Sequence, residues 1–90
     1  MAKFVALLTY GNHELKNATR PRHREYLRSL LEQGKLVASG PFADDSGALI
    51  IYEAADEAEA RSILANDPFS EGDVIAKSEL KQWNRVLPEP

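Results

Sequence analysis

Hydrophobic positions fall into six blocks separated by polar turns. Residues 3–10 (Lys-Phe-Val-Ala-Leu-Leu-Thr-Tyr) are apolar at both parities, which predicts a strand covered on both faces, β1, broken by Gly11-Asn12. After a polar loop, Thr19 can cap a helix, α1, with Pro21 in its first turn. Tyr26, Leu27, Leu30 and Leu31 then recur at helical spacing until Gly34 stops the run. Two short apolar runs follow, 36–39 (β2) and 48–52 (β3). The Gly, Pro and Asp residues of 40–47 between them favour a turn, which predicts a hairpin. Asp56 with Glu59 three residues on resembles a capping box. It opens a helix, α2, through Ala60, Ile63 and Leu64 to about Asn66, where Pro68 forbids continuation. Residues 74–83 read as a last strand, β4, and Pro88-Glu89-Pro90 as a loose tail.

The order βαββαβ predicts an α+β fold of ferredoxin-like type: two split βαβ units with right-handed crossovers, a four-stranded antiparallel sheet in the order 4-1-3-2, and both helices on one face. No internal linker or repeat interrupts residues 1–90, so one domain with one core is expected. The second sheet face then lacks cover, although β1 and β3 are apolar on both sides. A chain of 90 residues can cover it by pairing with a copy of itself, a sheet-to-sheet homodimer. The alternative is a monomer with an apolar sheet surface.

Composition narrows the function classes. A hydrophobic fraction of 43%, a charged fraction of 28% and a formal net charge of −3 describe an ordinary globular chain, and the scattered basic residues form no footprint for nucleic acid. The apolar run at Phe4–Leu8 is too short for a membrane span and lacks the features of an export signal, so neither membrane nor secretion is expected and the cytoplasm is the default compartment. There are no cysteines, which removes disulfides, thiol nucleophiles and Cys-ligated metals. The available chemistry rests on His, carboxylates and hydroxyls.

In this topology the two helices run antiparallel, so the head of α1, the end of α2 and the exits of β1 and β2 share one rim. That rim collects Asn12, His13, Arg20, His23, the hairpin from Gly40, Pro41 and Phe42 to Asp45, and Asp67-Pro68-Phe69. His23 precedes Leu27 and Leu30 by four and seven residues, which turns it inward. Placed in the first turns of α1, it would feel the positive end of the helix dipole, which disfavours imidazolium and suits a general base. The same position also suits a core or interface histidine satisfied by one hydrogen bond. Asp67 takes the corresponding inward place after Ala60, Ile63 and Leu64, where a carboxylate near His23 would fix its tautomer. It can instead simply terminate the helix by accepting backbone N–H bonds. Asp44 and Asp45 are competing partners for His23, but beside Ser46-Gly47 turn chemistry is their first reading. Arg20 can hold an anionic group of a small-molecule ligand. His13, His23 and Asp67 have no spacing that argues for a metal.

Arg20-Pro21-x-His23, Gly34-x-Leu36, Ser39-Gly40-Pro41-Phe42, Gly47, Asp67-Pro68-Phe69 and Trp83 together resemble the YciI-like (YCII-related) family over nearly the whole chain. The resemblance implies a dimeric α/β barrel with a His–Asp site, roles that map onto His23 and Asp67. It also implies a cofactor-free proton abstraction of the kind some relatives use in dehydrochlorination. The family's hairpin varies, and the short Phe42–Gly47 stretch leaves the substrate undefined. A lyase- or isomerase-like enzyme and a non-catalytic ligand-binding or dimerisation module both remain open.

Overall fold

The computed structural model describes residues 1–89. It contains β1 (Ala2–Tyr10), α1 (His13–Glu32), β2 (Leu36–Pro41), β3 (Gly47–Ala54), α2 (Glu57–Ala65), α3 (Pro68–Glu71) and β4 (Ile75–Trp83). The strands form one antiparallel sheet in the order β2-β3-β1-β4, the expected ferredoxin-like arrangement. Phe4, Ala6, Leu8 and Tyr10 of β1 and Ala48, Ile50, Tyr52 and Ala54 of β3 are buried. Most of these pack with Leu27 and Leu30 of α1 and Ala60, Ile63 and Leu64 of α2, so both long helices cover the same face of the sheet. The opposite parity, including Val5, Leu7, Leu49 and Ile51, is only half-buried.

Two expectations are corrected. Helix α1 starts at His13, capped by Asn12, whose side chain accepts from the Leu15 amide at 2.9 Å. Thr19 is not a cap. It is buried on the inner face of α1, and Pro21 lies inside the helix. The inward stripe Lys16, Thr19, His23, Leu27, Leu30 keeps helical spacing but is polar for its first three members, so an apolar pattern sees only its second half. Packing of that stripe outweighs the backbone hydrogen bond that Pro21 cannot make. The second correction is α3, a single turn with Pro68 at its start and Asp67 as its cap. Pro68 ends one helix and, with its fixed φ, begins the next.

Other local signals match the structure. Asp56 accepts from the Glu59 amide and Glu59 reaches back to the Ala55 amide, both at 2.9 Å. Gly34 ends α1 with φ of 74°. Gly47 permits a close approach of β3 to β1, since a Cβ there would lie 1.8 Å from the Leu8 carbonyl oxygen.

Candidate functional site

Asp67 has no exposed surface and His23 is 7% exposed. The carboxylate Oδ1 lies 2.7 Å from His23 Nδ1 and also accepts from the Phe69 amide at 2.9 Å. One oxygen of Asp67 thus both caps α3 and meets the imidazole. A carboxylate only accepts, so with Asp67 ionised it is Nδ1 that donates across this contact. The Phe69 ring stacks on the imidazole with centroids 3.8 Å apart and planes at 6°. The cap and the stack both come from one short motif, Asp67-Pro68-Phe69.

His23 is the eleventh residue of the twenty in α1, well away from the helix N-terminus. The dipole therefore does not act on it, and the Asp67 carboxylate supplies the local electrostatics instead. That negative charge is felt elsewhere in the core. Burial first, and Asp67 second, push the Tyr52 phenol far above its ordinary value, and the same two causes raise Tyr26. Tyr26 donates to the Ile63 carbonyl at 2.6 Å, tying α1 to the last turns of α2.

His23 borders a cavity of about 150 Å³ between α1 and the β2–β3 side of the sheet. Arg20 and Arg24 stand with it along one stripe of α1. Ser39, Gly40 and Pro41 of β2 form the facing wall, and Tyr10, Leu27, Ile50 and Phe69 close the apolar interior. Of the residues singled out from sequence, His23, Arg20, Gly40, Pro41 and Phe69 thus share this cavity, and Asp67 supports it from behind. Phe42 does not line it. Its ring is beside a separate hollow with Leu7, Thr9, Lys77 and Glu79, on the face of the sheet turned away from the helices.

A second polar cluster sits beside the cavity, and sequence reasoning did not find its centre. Lys16 is 2% exposed. Its ammonium donates to Asp45 and, at 3.0 Å, to His13 Nδ1, and lies 5.1 Å from the centroid of the Tyr10 ring. Arg20 reaches the other Asp45 oxygen at 3.3 Å. The hydrogen bond from Lys16 holds the Asp45 carboxyl below its usual range. Asp45 thus pairs with α1 rather than with His23, while Asp44 does turn chemistry, accepting from the Ser46 amide at 3.0 Å and from its hydroxyl at 2.6 Å. Burial pushes the Tyr10 phenol above its ordinary value, opposed by a hydrogen bond from Arg20. A buried lysine reads as a surface residue in a sequence, and only the spacing Lys16, Thr19, His23 could have shown that it faces inward. Among the described residues no group of three or more His, Asp or Glu side chains could hold a metal, and no helix is long and apolar enough to cross a membrane.

The family model for the YCII-related domain matches residues 2–84. No curated protein gives a significant match. Among solved structures, the chain is similar to 5-chloro-2-hydroxyhydroquinone dehydrochlorinase (TftG) from Burkholderia phenoliruptrix AC1100 in complex with 2,5-dihydroxybenzoquinone. That likeness has a TM-score of 0.82 and 23% identity, covering 98% of this chain and 99% of the other. An antibiotic biosynthesis monooxygenase superposes with a TM-score of 0.62 at 17% identity, over 96% of this chain and 99% of that one. A NIPSNAP family protein from Agrobacterium tumefaciens C58 gives 0.59 at 17% identity, over 98% and 95%. These likenesses establish a shared fold.

Proposed function

The chain belongs to the YCII-related domain family, and from that premise we propose that it is a small cofactor-independent enzyme of lyase or isomerase type, in which His23 removes a proton from a small organic substrate. The observation that carries this reading is the 2.7 Å contact between His23 Nδ1 and Asp67 Oδ1, behind a ring that borders a cavity. Asp67 holds the Nδ1–H tautomer and stabilises the imidazolium that forms, while Nε2 is left to accept the substrate proton.

A cavity of about 150 Å³ is the size at which an apolar site accepts one benzene-sized ring. Its apolar interior and arginine rim suit a ring that carries an anionic or acidic oxygen. With such a ligand in its keto form, a C–H bond next to the ring carbonyl breaks, its proton passes to Nε2, and the electron pair moves onto the carbonyl oxygen. The pair then returns either to expel a leaving group such as chloride or to take a proton at another carbon. The 5-chloro-2-hydroxyhydroquinone dehydrochlorinase with the same fold makes chlorinated hydroxyaromatic compounds the first to offer. A homodimer joined through the half-buried sheet face completes the proposal.

The test offers such a panel in deuterated buffer and follows halide release and deuterium uptake, together with the imidazole ¹⁵N signals. Asp67→Asn should lower turnover about 10²–10⁴-fold with the fold intact, and should move His23 out of the Nδ1–H tautomer. A non-catalytic binding module would show no turnover with any compound and only weaker ligand binding in the variant.

A further inference from the structure

Tyr10 is the one phenol in the cavity that His23 borders. It comes from the last position of β1, and its ring meets the Phe69 ring edge-on at 5.7 Å between centroids and 83° between planes. Phe69 presents its face to His23, so one aromatic ring fixes both groups at the border of the same small space. Arg20 stands with Tyr10 on the cavity wall and is itself held by Asp45 at 3.3 Å. Arg24, four residues further along α1 on the same stripe, has no ion-pair partner among the described residues. The cavity therefore has a basic nitrogen on one side and an O–H donor backed by two cations on another.

Proton abstraction next to an unsaturated carbon leaves negative charge on an oxygen, and a donor already fixed where that charge develops stabilises the transition state more than the ground state. Resting on the reading of His23 as base, we propose that Tyr10 is a further catalytic residue that donates its phenolic hydrogen bond to the oxyanion formed as His23 takes the proton. In the step, the substrate C–H bond breaks, the proton goes to His23 Nε2, and the electron pair reaches the substrate oxygen that Tyr10 faces. Tyr10 keeps its proton throughout, and burial favours that neutral form. Arg20 orients the phenol, and Arg24 offers its charge at the mouth.

The test needs no turnover, so its outcome is separate from that of the base assignment, which deuterium exchange reads. The probe is 4-nitrophenolate, a ring of the right size bearing a full oxyanion, with nitrobenzene as its counterpart lacking one. Both are titrated into wild type and Tyr10→Phe, a change that keeps the ring packed on Phe69. The expected result is that 4-nitrophenolate binds about tenfold or more weakly to Tyr10→Phe, the scale of one charge-assisted hydrogen bond, while nitrobenzene binds both proteins alike. Equal binding of 4-nitrophenolate to the two proteins overturns the proposal. So does an equal loss of both probes, or no saturable 4-nitrophenolate binding to wild type at millimolar concentration.

Discussion

The His23 imidazole lies flat against the Phe69 ring, 3.8 Å from it and within 6° of parallel. Phe69 is 1% exposed and donates its amide to the carboxylate that holds His23, so backbone and side chain of one residue act on both halves of the dyad. Phe69→Ala should cost about 3–5 kcal/mol, enough to unfold much of a domain whose total stability is about 5–15 kcal/mol. Phe69→Leu keeps most of the volume and the amide but loses the stack, so roughly 1–2 kcal/mol is expected. Urea unfolding gives these costs. The Leu variant should also broaden the His23 Nδ1–H proton signal, because the ring is then held by Asp67 alone. A sharp, unshifted signal in Phe69→Leu would show that the stack does not orient the imidazole.

The Lys16–Asp45 pair ties the hairpin tip to α1, and acid should release it. The hydrogen bond from Lys16 lowers the Asp45 carboxyl below its ordinary value. A carboxyl depressed in the fold contributes stability above its unfolded value of about 3.9 and loses that contribution as pH falls through the folded value. Asp45→Asn should therefore melt below wild type at neutral pH, because the buried Lys16 ammonium then faces a neutral amide in place of a carboxylate. The two melting curves should converge as pH drops below about 4. A gap that stays constant through that range would mean the charge on Asp45 contributes nothing and that the Asn change acts only through the turn, where Asp45 has φ of 58°.

How much of this was legible in the chain depended on whether the inward residues were apolar. The strands were readable because Phe4, Ala6, Leu8 and Ile50 alternate with residues that are themselves apolar. The second half of α1 was readable because Leu27 and Leu30 are leucines. Its first half was not, since Lys16, Thr19 and His23 point inward but look like surface residues, and Pro21 resembles a helix start. The pairing of His23 with Asp67 was suggested by the inward spacing of each and by the family resemblance, although His23 lies in the middle of α1 and not in its first turns. Tyr10 and Lys16 did not follow. Tyr10 reads as the last strand residue, and the partners of Lys16 are 29 residues away for Asp45 and three for His13, a combination that no local pattern encodes.

The sheet face away from the helices carries Val5 and Leu7 of β1, Leu49 and Ile51 of β3, and Trp83 of β4, which together border a hollow of about 450 Å³. Charged residues frame this patch: Lys77, Glu79 and Lys81 along β4, and the Lys3–Glu53 pair at 2.7 Å. An apolar centre with a charged margin is the anatomy of a protein interface, and a second copy supplies a face of the same chemistry by two-fold symmetry. Sedimentation at micromolar concentration should therefore give twice the 10.0 kDa chain mass. Leu7 lies in register with Leu49 on one side and Glu79 on the other, near the middle of the patch. Leu7→Lys places an unpaired ammonium there in each copy and should yield a folded monomer, because the side chain points away from the core. The circular dichroism of that variant should match wild type while its mass halves. A wild-type mass of 10.0 kDa would remove the dimer and leave this face for a different partner. A Leu7→Lys variant that stays dimeric would instead move the interface to another surface.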